Sequence, residues 1–179
     1  CSSDLNLSNT TVLTCSVTSI DVVASGAVSY VWTDGTGAVV ANTAALSITD
    51  AGTYTVTGTA ANGCSNTASI TITENTIAPV AGITNLDNTT TLTCQQNSID
   101  LQATGGVAYS WSDGSVVVSN TAPLTVGAAG TYTVTVTGSN GCTSQASITI
   151  GSDGNIPSVS ITNITGEDVL TCVVTDIQL

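Results

Sequence analysis

The sequence predicts an all-β protein: small antiparallel β-sandwiches, each with one disulfide, repeated along a rod. Three observations predict it. Segments such as Thr53-Tyr54-Thr55-Val56-Thr57 alternate strictly between Thr and an apolar residue, the period-two signature of a half-buried strand rich in β-branched side chains. A unit of about 78 residues occurs twice, with Cys94 following Cys15 by 79 residues and Cys142 following Cys64 by 78. Turn signals recur at regular spacing, and no window carries a useful 3.6-residue period.

Taken in order, each unit opens on a Thr-Cys pair (Cys15, Cys94). A strand follows, Ser19-Ile20-Asp21-Val22 or Ser98-Ile99-Asp100-Leu101, then a Trp strand, Tyr30-Val31-Trp32-Thr33 or Tyr109-Ser110-Trp111-Ser112. Asp34-Gly35 and Asp113-Gly114 mark a turn after it. One residue is lost between Gly35 and Asn42, where a loop or edge strand tolerates a deletion. The Gly-Thr-Tyr strand comes next, running over 53–57 and 131–137, and Asn62-Gly63 or Asn140-Gly141 turns the chain into the last strand, 69–73 or 147–150. Asn-Gly is a strong hairpin signal, because both residues accept positive φ. About seven short strands per unit fit a sandwich. These landmarks divide the chain into 1–76, 77–154 and the start of a third unit, 155–179. There Leu170-Thr171-Cys172 repeats Leu92-Thr93-Cys94 and Asp176-Ile177-Gln178-Leu179 follows as a strand. The chain is therefore expected to be a fragment of a longer array, or to borrow strands from a partner. The junctions, Glu74 to Pro79 and Ser152 to Pro157, are short and carry a Pro each, which favours a semi-rigid link.

Composition narrows the function. The chain has 179 residues, no Lys, Arg or His, and 12 acidic residues, for a formal net charge of −12. Nucleic-acid binding needs cations to neutralise phosphates, and a basic lipid-binding patch needs them too, so both are excluded. Side-chain salt bridges are excluded for the same reason. With 41% hydrophobic residues the chain can bury a core, unlike a disordered acidic tail. Mean hydropathy is positive, yet apolar runs such as 38–41 fall far short of the roughly 20 residues of a spanning helix, so membrane insertion is not expected.

The six cysteines lie at long spacings, unlike the short spacings of zinc sites. They are read as disulfides, Cys15–Cys64 and Cys94–Cys142, each stapling an early strand to the start of the last one within a unit. Such a link stabilises by roughly 4 kcal/mol in the chain-entropy model and implies an oxidising compartment. Cys172 is expected to pair with a residue beyond this sequence. Cys1 has no counterpart in the repeat. It either pairs upstream or bears lipid, since Cys-Ser-Ser-Asp resembles the start of a bacterial lipoprotein.

No catalytic site is expected, because Ser and Thr have no His or Lys to activate them. Asp34 and Asp113 read as turn residues and Asp21 and Asp100 as solvent-facing strand residues. No cofactor is assigned. Calcium at the junctions, through Glu74, Asn75, Asp153 and Asn155 with Asp50 and Asp87 near turns, is the metal alternative, since carboxylates and carbonyls suit hard cations. Tyr30, Trp32, Tyr109 and Trp111 read as core residues on a central strand, the Trp packed near a disulfide, ahead of a sugar-stacking platform. Tyr54 and Tyr132 suit a tyrosine corner.

The elements Tyr-x-Trp-x-Asp-Gly, Ala-Gly-Thr-Tyr-Thr-Val-Thr and Asn-Gly-Cys, one set per unit, resemble the Ig-like or PKD-like repeats of very large Bacteroidota surface proteins, among them gliding-motility adhesins of the SprB type. The resemblance implies type IX secretion, display on the cell surface, and a stalk in an adhesin filament for attachment and gliding. Its partners would be neighbouring repeats of the same chain and, through other regions, an extracellular substratum or surface glycan. It carries over no catalytic residue. The sorting domain and adhesive tip of such proteins are not in this sequence. The alternatives are a glycan- or protein-binding Ig-like module and a spacer in a secreted enzyme.

Overall fold

The computed structural model describes residues 5, 6 and 9–163, with side chains from residue 9 onward. The expectations for Cys1, Cys172 and the strand at 176–179 lie outside the described residues. Every regular element among the described residues is a strand, and the same arrangement of eight is built twice.

In the first, a three-stranded antiparallel sheet runs β1(Leu5–Asn6)–β3(Ile20–Val23)–β6(Ala45–Ile48). It faces a five-stranded sheet ordered β2(Val12–Thr14)–β8(Ser65–Asn75)–β7(Gly52–Thr59)–β4(Ser29–Thr33)–β5(Val39–Ala41). The second pairs β9(Gly82–Asn85)–β11(Ile99–Thr104)–β14(Pro123–Val126) with β10(Thr91–Leu92)–β16(Thr143–Ser152)–β15(Gly130–Thr137)–β12(Ala108–Ser112)–β13(Val117–Ser119). This is an immunoglobulin-like topology. One feature departs from an all-antiparallel sandwich: β2 pairs with β8, and β10 with β16, in parallel. The entering chain runs in the small sheet first. It then bends at Asn9 (φ 51°) or Asn88 (φ 57°) and crosses to the edge of the large sheet, still travelling the same way.

Alternation decides which side chains meet. Trp32 and Trp111 are 1% and 0% exposed and sit among Ile20, Val22, Ile48, Val56 and Ile72, or Ile99, Leu101, Val126, Val134 and Ile150. Each indole Nε1 donates to a backbone carbonyl, of Thr43 (3.0 Å) or Ala122 (3.3 Å), so the buried polar atom is satisfied. On the outer face of the large sheet, Thr and Ser hydroxyls pair across strands: Thr53 with Thr71 (3.1 Å), Thr55 with Ser69 (2.9 Å), Thr131 with Thr149 (3.0 Å) and Thr133 with Ser147 (2.9 Å). A surface without cations is thus knitted by neutral cross-strand pairs.

The one-residue deletion falls in the β4–β5 turn. In the first sandwich Asp34 N donates to Ala38 O and Gly37 N to Asp34 O, with Gly37 at φ 87°. In the second, Asp113 N donates to Val116 O, and the positive φ moves to Gly114 (96°). The longer turn places Gly at its end; the shorter one needs Gly at its first central position, as a two-residue hairpin loop does.

Candidate functional site: a cross-linked junction

Cys15 lies in the β2–β3 loop of the first sandwich and Cys142 at the tip of the β15–β16 hairpin of the second. They form a disulfide between the sandwiches, with Cα atoms 4.9 Å apart and 127 residues of sequence separation. Cys64 and Cys94 are free thiols, both exposed. The expected pairs Cys15–Cys64 and Cys94–Cys142 are therefore corrected. The reason is the parallel pairing at the sheet edge. Thr14 is opposite Asn75, the last residue of β8, whereas Cys64 precedes Ser65, its first. At ~3.3 Å per residue, the two cysteines of one sandwich stand roughly 35 Å apart, far beyond the ~7 Å limit between bridged Cα atoms. Each unit has its cysteines at opposite ends, so the opening cysteine of one reaches the closing cysteine of the next. The Trp packs in a core free of cysteine; Val56 and Val134, two residues after the corner tyrosines, hold the position where antibody domains carry the second core cysteine.

Both halves of the cross-link are preformed turns. Around Cys15, Thr14 N donates to Val17 O (2.8 Å) and Val17 N to Thr14 Oγ1 (3.0 Å). Around Cys142, Gly138 N donates to Cys142 O (2.8 Å), Gly141 N to Gly138 O (3.0 Å), and Cys142 N to Asn140 Oδ1 (3.2 Å). An Asn-Gly hairpin turn accepts positive φ at both residues. Only Gly63 (83°) and Gly141 (77°) adopt it. Each Asn instead caps the turn with its side chain.

Docking adds polar contacts. Asn140 Nδ2 lies within hydrogen-bond reach of Asn75 O (3.1 Å), Asn75 Oδ1 (3.1 Å) and Ile77 O (2.9 Å). Within the second unit, Ser144 Oγ donates to Pro79 O (2.6 Å) and accepts from Ala81 N (3.2 Å), which ties the linker to β16. Gly141 abuts Ser16 so closely that a Cβ there would lie 2.7 Å from Ser16 Cβ. Beside this contact is an open cleft of ≈ 660 Å³ walled by Ile77, Pro79, Gly106, Val107 and Asn140.

The other singled-out residues serve the scaffold. Tyr54 Oη donates to Asp50 O (3.1 Å) and Tyr132 Oη to Ala128 O (3.0 Å), the tyrosine-corner bond. Burial first, then the carboxylates of Asp50 and Asp34, raises the Tyr54 phenol above its ordinary pKa. Tyr30 and Tyr109 spend their hydroxyls on the backbone of Ala27 and Gly106. Asp34 Oδ1 accepts from Thr36 Oγ1 (2.7 Å), Thr36 N (2.9 Å) and Ala38 N (3.0 Å), and these bonds hold its pKa below the usual carboxylate value. Asp113 is lowered likewise by the amides of Val116 and Ser115. Asp21 and Asp100 are exposed on the small sheets, and Asp100 Oδ1 accepts from Thr125 Oγ1 (2.6 Å). Among the described residues no three Asp, Glu or Cys side chains converge as metal ligands. At the junction the oxygens of Asn75 face the Asn140 amide. No helix among the described residues is long and apolar enough to cross a membrane.

No protein-family model matches the chain, and no characterised protein matches it by sequence. Solved structures do match in shape. One is an Antarctic bacterial adhesin described as Ca2+-stabilised and as helping its host reach out and bind ice: TM-score 0.54, 15% identity, covering 96% of this chain and 54% of that one. This chain thus spans about half of that adhesin structure. Murine CEACAM1b follows at TM-score 0.38 and 14% identity, over 79% of this chain and 94% of the other. Fibronectin(III)-like modules of Clostridium thermocellum CbhA match at 0.39 and 10%, over 85% and 95%. At these identities the likeness is one of fold.

Proposed function

We propose that this chain is a stretch of stalk in an extracellular bacterial adhesin, a non-catalytic spacer that holds a distal binding region away from the cell. The observation that carries the reading is the Cys15–Cys142 bond. A linker between two domains is the weak point of an extended protein, because few contacts cross it. Here tension arriving at Asn75–Pro79 has a second, covalent path through the β15–β16 hairpin. A cross-link placed at the joint, where it ties neighbours and leaves the core disulfide-free, suits a spacer that must transmit force. It also requires an oxidising compartment, which supports export. The bacterial adhesin of similar fold supports surface attachment as the setting, and the Bacteroidota-type repeats add type IX secretion and gliding as the finer form of the proposal.

The aromatic residues do not favour a glycan-binding module, because both Trp rings are buried. Immuno-electron microscopy of intact cells, with antibody to these sandwiches, tests the proposal. Label strung along thin surface projections is the expected result. Label confined to the periplasm or the medium overturns it and brings forward the spacer of a secreted enzyme.

A further inference from the structure

Cys64 and Cys94 copy the two halves of the observed cross-link. Around Cys94, Thr93 N donates to Gln96 O (2.8 Å), Gln96 N to Thr93 Oγ1 (3.0 Å) and Gln95 N to Thr93 Oγ1 (3.3 Å). Around Cys15 the same three bonds measure 2.8, 3.0 and 3.3 Å. Around Cys64, Ala60 N donates to Cys64 O (2.8 Å), Gly63 N to Ala60 O (2.9 Å), and Cys64 N to Asn62 Oδ1 (3.1 Å), which is the Cys142 turn again. One copy of each half is docked and the other is not. Asn140 and Gly141 are half-buried against the first sandwich, while Asn62 and Gly63 are exposed, and a Cβ on Gly63 would meet nothing within 4 Å. On the first sandwich and the linker after it, Cys15, Ser16, Asn75 and Ile77 receive the Asn-Gly-Cys turn. On the second, Thr93, Cys94, Gln95, Asp153 and Asn155 line an open cleft of ≈ 340 Å³.

We propose that this cleft is the docking site for the Asn-Gly-Cys turn of a further sandwich of the same kind, and that Cys94 forms a disulfide with its cysteine. Cys64 is the reciprocal half, presented to the Thr-Cys loop of another such unit. The interface is head-to-tail, with different surfaces meeting at each end, so the same contact is available again from unit to unit, and each use of it adds one covalent stitch. The inference rests on reading the chain as stalk repeats and adds to it that every joint is bonded. Formation is a two-step exchange. The Cys94 thiolate attacks a small-molecule disulfide such as oxidised glutathione and releases one glutathione thiol. The incoming cysteine thiolate then attacks the mixed disulfide and releases the second. One glutathione disulfide is reduced to two thiols, which keep the two cysteine protons, and one protein disulfide is formed.

The test inserts a second copy of residues 77–154 directly after Gly154, where the repeat phase continues. The inserted copy carries Cys94→Ser, so that one Cys94 remains, and Thr143→Ser as a mass mark beside its Asn-Gly-Cys turn. The chain is refolded in reduced and oxidised glutathione and mapped by mass spectrometry after peptic digestion without reductant. The expected product links Cys94 to the marked turn, beside the Cys15–Cys142 link to the unmarked one. Cys94 recovered as a thiol, or joined to any other cysteine, overturns the proposal. Absence of the Cys15–Cys142 peptide would show that the longer chain had misfolded. The test then passes to the natural chain, offered a hairpin peptide of residues 135–145 whose cysteine is activated as a mixed disulfide. Capture by Cys94 at least tenfold faster than by Cys64 is expected, because Cys94 lines the receiving cleft while Cys64 sits on a presented turn, and equal rates overturn the proposal. Failure in either form leaves the surface-labelling result, and with it the stalk reading, standing.

Discussion

At the scale of single residues, the two sandwiches solve one packing problem with opposite choices. In the first, Ala27 faces Gly58, and a Cβ on Gly58 would lie 3.0 Å from Ala27 Cβ. In the second the larger side chain is on the other strand: Val136 stands where Gly58 is, and Gly106 where Ala27 is. A Cβ on Gly106 would lie 2.5 Å from both Val136 Cγ1 and Thr137 O. Overpacking a filled contact costs about 1–3 kcal/mol. Gly106→Ala is therefore expected to lower stability by that amount in denaturant unfolding. Gly58→Val should do the same alone and be largely rescued by Ala27→Gly, a coupling that a double-mutant cycle reads directly. The carboxylates give a pH prediction. Asp34 and Asp113 have lowered pKa values in the folded chain, so their contribution to stability is present above the ordinary carboxylate value and lost as pH falls through the folded one. Their NMR titration midpoints should lie below those of unfolded peptides. Midpoints equal to the peptide values would mean that the turn bonds from Thr36, Ala38, Ser115 and Val116 do not persist in solution.

At the scale of elements, the β7–β8 and β15–β16 hairpins share a turn but carry different burdens. Gly63 and Gly141 both need positive φ, so replacing either by Ala costs about 1 kcal/mol of backbone strain. Gly141→Ala must also push aside Ser16. We expect Gly63→Ala to leave the Cys15–Cys142 bond intact, and Gly141→Ala to slow its formation in glutathione buffer and make it easier to reduce. The parallel β2–β8 pairing is the element-level cause of the whole junction. It sets the Thr-Cys loop at the far end of the last strand from the Asn-Gly-Cys turn, so the two cysteines of one sandwich cannot meet.

For the whole molecule, the cross-link closes 127 residues of chain, worth roughly 5 kcal/mol against global unfolding in the chain-entropy model. The sandwiches have separate cores, so Cys15→Ser should leave both folded and free the joint between them. Small-angle scattering should then show a broader spread of overall dimensions, and amide exchange should rise around Ala78 and Ala81 while the Trp32 and Trp111 cores stay protected. Loss of either core in that variant would show that the sandwiches depend on the cross-link for folding.

Period-two alternation determined strands such as 53–57 and 131–137, and the Tyr-x-Trp segments determined a central one, because one face of each sheet must be buried whatever the topology. Residues such as Trp32, Tyr54 and Asp34 were legible for the same reason: their roles follow from local spacing. The repeat identified Cys15 with Cys94 and Cys64 with Cys142 as equivalent positions. It did not say who bonds to whom, because equivalence within a repeat is silent on distance. Only the tertiary structure decided that, by running β2 parallel to β8 and setting the two cysteines of each sandwich a full strand length apart.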